Sequence, residues 1–93
     1  MKVGDICLYG YADGNKSLAI VEIIKILDDE RGIAQLKFHK VIEDNTGNGY
    51  FNYLLKSGRT MNGSFKYLYN MTSLLEFILI KYIKEVRNNE QIY

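Results

Sequence analysis

Leu18-Ala-Ile-Val-Glu-Ile-Ile-Lys-Ile-Leu27, followed by Asp28-Asp-Glu-Arg-Gly32 and then Ile33-Ala-Gln-Leu-Lys-Phe-His-Lys-Val-Ile42, is the stretch that decides the fold. The first run is rich in β-branched residues. Its even positions Leu18, Ile20, Ile24 and Ile26 are apolar with Glu22 as the exception, and Ala19, Val21 and Ile23 are apolar too. A strand with apolar residues on both faces is one that is covered on both sides for part of its length. The second run alternates more cleanly: Ala34, Leu36, Phe38 and Ile42 fall on one side, Gln35, Lys37 and His39 on the other. The polar connection ending in Gly32 suits a hairpin loop of three to five residues. The two runs therefore read as one antiparallel hairpin with a core face and a largely solvated face.

Outward from the hairpin, Val3–Tyr11 reads as a first strand and Asp13-Gly14-Asn15 as the turn after it. Glu43-Asp44-Asn45-Thr46-Gly47-Asn48-Gly49 is the longest turn-forming stretch in the chain. Tyr50–Lys56 then sets Phe51, Leu54 and Leu55 at helical spacing, with Ser57-Gly58 as a C-cap. Arg59–Ser64 is expected as a short strand, Phe65–Leu68 as a 3₁₀ turn, and Tyr69–Met71 as a last strand. Ser73 and Glu76 have capping-box spacing. They predict a C-terminal amphipathic helix over 72–88, followed by a tail at 89–93. Leu75, Ile78, Leu79, Tyr82, Ile83 and Val86 make its apolar stripe, while Phe77 and Ile80 lie on the other side.

The bulk composition bounds the rest. Ninety-three residues leave room for one domain, and a hydrophobic fraction of 47% supports a real core. Cys7 is the single cysteine, so neither an internal disulfide nor a cysteine-based zinc site is expected. No signal peptide is read at Met1–Asp5, and the apolar block 74–83 is broken by Glu76 and Lys81 and too short to span a bilayer. A cytosolic setting with no membrane attachment is the resulting expectation. The net charge of +1 hides an asymmetry. Residues 1–44 carry a net −2, whereas residues 45–75 contain Lys56, Arg59 and Lys66 and no acid.

The overall expectation is a mainly β (α+β) domain over residues 1–93. Its core, residues 1–71, is a small barrel of about five strands with a short inserted helix, closed by the C-terminal helix. The opening Val3-Gly4-Asp5-Ile6-Cys7-Leu8-Tyr9 followed by Ala19-Ile20-Val21-Glu22-Ile23, with the 3₁₀-like turn before the final strand, resembles small Src-homology-3-like and Tudor-like barrels. Gly47-Asn-Gly-Tyr-Phe-Asn-Tyr-Leu-Leu-Lys-Ser-Gly-Arg-Thr-Met-Asn62 resembles segments of uncharacterised proteins from phages and mobile elements of low-GC bacteria. The barrel resemblance implies a fold shared by many functions and names no activity.

Candidate chemistry is sparse. His39 is the sole histidine and has Glu43 and Asp44 near it in sequence, but no nucleophile is placed with them. A structural or solvated histidine is the simpler reading. Cys7 in a strand reads as a small hydrophobe. Asp28-Asp29-Glu30 with Glu43-Asp44 match no metal-ligand spacing and read as solvated turn charges. No catalytic residue, metal site or cofactor is therefore assigned.

Binding is better supported. Tyr50, Tyr53, Lys56, Arg59, Lys66, Tyr67 and Tyr69 interleave rings and cations, the pattern on which bases stack while phosphates meet the charges. The competing reading puts Phe51, Phe65 and alternate tyrosines in the core. The sequence thus points to a non-enzymatic binding module for a protein or a nucleic acid, with Phe77 and Ile80 as a self-association surface for a homodimer. The alternative is a small-ligand or nucleotide-binding protein that offers loop 45–49 and the start of the following helix to an anion.

Overall fold

The computed structural model of the chain describes residues 1–10, 16–72, 78 and 81. In chain order the elements are β1 (Ile6–Gly10), β2 (Leu18–Asp28), β3 (Ile33–Glu43), α1 (Tyr50–Ser57), β4 (Thr60–Ser64), a 3₁₀ turn at Phe65–Tyr67, and β5 (Leu68–Asn70). All five strands belong to one antiparallel sheet in the order β4-β3-β2-β1-β5. Each of the first three neighbours its successor, and the last crosses over to pair with β1, Leu8 opposite Tyr69.

The hairpin carries the core as expected. Ala19, Val21 and Ile23 of β2 and Ala34, Leu36 and Phe38 of β3 are buried on one face, joined there by Cys7 and Tyr9 of β1. The opposite face of β2 holds Leu18, Ile20 and Ile24, each half-buried. Arg31 N–H donates to Asp28 Oδ1 at 3.0 Å and closes the polar loop.

The far end of β3 departs from simple alternation. Ile42, expected in the core, is 51% exposed, while Val41 packs against the core in its place. The register explains the exchange. Val21 opposes Phe38 but Ile20 opposes Lys40, so His39 is an extra residue on β3. An inserted residue sends every later side chain to the other face. A second extra residue is Ile42 itself, between Val41 and Glu43, and Ile24 and Leu27 are the corresponding extras on β2.

Such bulges strengthen the bend and twist of a sheet. Gly63 shows how far this one rolls. It lies on β4, three strand spacings from β1, or about 14 Å in a flat sheet. A Cβ placed on it would nevertheless come within 3.4 Å of Tyr9 Cε1 and 2.6 Å of Leu36 Cδ1. Only glycine fits.

Among the described residues the sheet curls without closing. β4 and β5 stand at its two edges, so the closed barrel expected from the sequence is replaced by an open five-stranded sheet. Strand length gives a reason: β5 has three residues and β4 five, too little edge to zip a seam. The expected C-terminal helix over 72–88, with Phe77 and Ile80, lies outside the described residues except at Thr72, Ile78 and Lys81. Thr72 Oγ1 accepts from Ile6 N–H at 2.7 Å and fastens the end of β5 to the start of β1.

Candidate functional site: the exposed face of helix α1

α1 is held to the sheet by two side chains. Phe51 and Leu54 are buried, as their spacing predicts. Phe51 meets Phe38 edge-on with ring centroids 5.0 Å apart and lies 5.8 Å from the Tyr9 ring. Burying an aromatic ring here anchors the helix by about 3–5 kcal/mol. Gly58 ends it in the left-handed conformation, its N–H donating to the Leu54 carbonyl at 3.1 Å.

The helix start is capped from a distance. Asp44 Oδ2 accepts from Asn52 N–H at 3.0 Å and from Asn52 Nδ2 at 3.2 Å, and the carboxylate also takes the Phe51 amide. Thr46 Oγ1 accepts from Tyr50 N–H at 2.9 Å and donates to Asp44 Oδ1 at 2.6 Å. Desolvation pushes the Asp44 carboxyl up, but the hydrogen bonds from Thr46, Asn52 and Phe51 outweigh it and hold the group below its ordinary range. The first three helix amides are thus occupied by the chain itself. The loop that could have cradled an anion cradles an aspartate.

With its inner face buried and its start capped, α1 presents Tyr50 and Tyr53 to solvent. They are 41% and 48% exposed. Their rings are close to parallel, with an interplanar angle of 20° and centroids 6.5 Å apart. Lys56, one further step of three along the helix, is exposed, and Arg59 is exposed just beyond the C-cap. Helical spacing of three brings Tyr50, Tyr53 and Lys56 onto neighbouring positions of one surface strip. Cations at this end also complement the helix dipole.

The other three candidates lie elsewhere. Lys66 places its Nζ 4.9 Å from the centroid of Tyr67, a cation–π pair on the 3₁₀ turn, and Tyr67 packs against the core. Tyr69 is 67% exposed. It opposes Leu8, which alternates with the buried Cys7 and Tyr9, so Tyr69 faces away from the side on which α1 packs. The seven candidates therefore divide into a helix strip, a turn pair and a ring on the opposite face.

The remaining titratable groups show no catalytic arrangement among the described residues. His39 Nε2 and Glu22 Oε1 lie 2.8 Å apart on the solvated face of the sheet. Burial, with Asp5 nearby and against the pull of the N-terminal ammonium, pushes the Cys7 thiol up and away from thiolate chemistry. Asp5 is buried and accepts from Asn70 Nδ2 at 2.7 Å and from Lys2 N–H at 2.9 Å, which ties the N-terminus to β5. No group of three or more potential metal ligands is found among the described residues. None of their helices is long and apolar enough to cross a membrane.

Asp44 is the residue that sequence reading undervalued. Its spacing to Asn52 fits no capping box, and only Asp44-x-Thr46 before a helix start hinted at the role. Fold and site together define a small, mainly β domain with an exposed aromatic-basic helix strip. Comparison with protein-family models, curated proteins and solved structures finds no match.

Proposed function

We propose that this protein is a non-enzymatic binding module that takes a single-stranded nucleic acid on the exposed face of α1. The observation that carries the reading is the exposed, near-parallel pair Tyr50–Tyr53 followed by Lys56 and Arg59, within a stretch free of acids from 45 to 75. Bases stack on exposed rings, and neighbouring cations meet the phosphates. The occupied helix start weighs against the small-ligand alternative, because it leaves no free amide for a nucleotide phosphate there.

The strand order, the 3₁₀ turn before β5 and the bulged hairpin support a Src-homology-3-like arrangement of the sheet. The resemblance of residues 47–62 supports an accessory role in a phage or mobile element, acting in the cytosol. Self-association through Phe77 and Ile80 belongs to the same proposal. Ile78, which the sequence sets on the opposite stripe from Phe77 and Ile80, is 53% exposed. Sedimentation of wild type beside Phe77→Glu tests it, and monomers in both would end it.

Salt dependence of oligonucleotide binding tests the main reading. Two phosphate contacts, at Lys56 and Arg59, give a log–log slope of about −1.4 for a single strand. Lys56→Ala with Arg59→Ala should flatten that slope and weaken binding. Retention on a polyanion unchanged by both substitutions would refute it, and capture of an acidic protein but no oligonucleotide would transfer the strip to a protein partner.

A further inference from the structure

We infer that β4 takes an extended acidic peptide as an added strand along its free edge; this goes beyond the oligonucleotide reading of α1 and does not depend on it. The ladder decides which backbone groups are available. Phe65 N–H donates to the Gly32 carbonyl at 2.7 Å, and antiparallel bonds recur at every second residue from there. With Ala34 opposite Gly63 and Leu36 opposite Met61, those two β4 residues turn their main-chain groups to β3. Thr60 and Asn62 therefore turn theirs outward. β4 is an end strand of the sheet, and among the described residues no hydrogen bond reaches the outward main-chain groups of Thr60 or Asn62. Native edges are blunted by proline, by charges or by bulges. Thr60-Met-Asn-Gly-Ser64 contains no proline and no charge, and its register with β3 runs without a bulge.

Charge names the occupant. Lys37 opposes Thr60 and is exposed, Lys56 and Arg59 are exposed just before the strand, and Lys66 follows it. The acids Asp28, Asp29 and Glu30 precede the other end, where Ile33 opposes Ser64, and Arg31 stands among them. An antiparallel addition, the more stable pairing, runs from Ser64 towards Thr60, so the acids of the peptide belong in its C-terminal half. Gln35 Nε2 donates to Thr60 Oγ1 at 2.7 Å and fixes that end of β4 before a partner arrives. A second copy of the chain is the poorer occupant. Two β4 edges paired antiparallel about Asn62 bring Arg59 of one chain beside Lys66 of the other, and like charges across a ladder are destabilising.

The test titrates a fluorescein-labelled Thr-Val-Thr-Val-Asp-Thr-Asp peptide against the full chain by anisotropy at low salt. Two controls accompany it, one with lysine in place of both aspartates and one fully N-methylated. The acidic peptide should bind about tenfold or more tighter than either, since each strand bond lost costs about 2- to 12-fold. On binding, amide hydrogen exchange of wild type should slow at Thr60 and Asn62. Asn62→Pro removes an outward N–H that β3 does not use, and should weaken the acidic peptide by about tenfold or more. The exchange measurement needs no variant and decides the matter if Asn62→Pro does not fold. Equal binding of the acidic and N-methylated peptides, or unchanged exchange at Thr60 and Asn62, would overturn the strand addition. Equal binding of the acidic and lysine peptides would overturn the acidic partner, and no binding of the acidic peptide would overturn both. A sedimenting dimer that Asn62→Pro dissolves would give the edge to a second copy and overturn the peptide as its occupant.

Discussion

Replacing Gly63 by alanine probes the roll of the sheet directly. The added Cβ would lie 2.6 Å from Leu36 Cδ1 and 3.4 Å from Tyr9 Cε1. Comfortable carbon contacts begin at about 3.5 Å, so the first is short by roughly 1 Å. Leu36 and Tyr9 are both buried in a close-packed interior and have little room to turn aside. Overpacking of this kind costs about 1–3 kcal/mol. Alanine also restricts the unfolded chain, which returns about 0.4–1 kcal/mol where the native φ is acceptable. Gly63 is not among the positive-φ glycines, so that gain applies. The net expectation is a loss of about 1–2 kcal/mol. With a urea slope of about 1–3 kcal/mol per molar, the unfolding midpoint should fall by about 0.3–2 M. Leu36→Ala alone should cost about 2–5 kcal/mol, but it removes the methyl that the new Cβ strikes. The double variant should therefore be more stable than the sum of the singles by about 1 kcal/mol or more. A Gly63→Ala protein as stable as wild type, or a strictly additive double, would refute the curled packing of β4 over Leu36 and Tyr9.

Three further outcomes are expected. Asp44→Ala should destabilise by about 0.5–2 kcal/mol, the usual cost of losing a helix cap, as read by urea midpoints. Because the folded-state pKa of Asp44 lies below its unfolded value, its contribution is present above the unfolded pKa and is lost as pH falls through the folded one. Asp44→Asn should flatten that acid limb below about pH 5, and an identical acid profile in wild type and variant would contradict the capping role. Val41→Lys should lower the melting temperature sharply while Ile42→Lys changes stability by no more than about 0.5 kcal/mol; the reverse order would mean that β3 lacks the bulge. Cys7 should react with a thiol reagent no faster than the domain unfolds, so rapid labelling in native buffer would show that the thiol is accessible.

The hairpin, the helix over Tyr50–Ser57 and its Gly58 cap are legible in the sequence because each is written in local periodicity and turn chemistry. Ile42 is not, because alternation read along one strand carries no trace of an extra residue at His39. The fate of the aromatics was hidden for a different reason. Tyr53 and Tyr69 look like parts of one cluster on paper, yet β5 crosses to pair with β1, and pairing with Leu8 turns Tyr69 to the other face. Such long-range pairing decides which rings share a surface, and nothing near residue 69 announces it. Asp44 was obscured similarly, since eight residues separate it from the amide it caps.

The four extra residues of the hairpin balance. Leu18 opposes Glu43 at one end and Asp28 opposes Ile33 at the other, the alignment an unbulged ladder would have, although the pairs between are offset. Two insertions on β2 cancel two on β3. Loss of a single residue from either strand would slide one end of the ladder past the other and carry the chain's next segment with it. Natural length variation in this hairpin is therefore expected to come as matched changes, one per strand, and a lone deletion should displace α1 before it disturbs the hairpin's own loop.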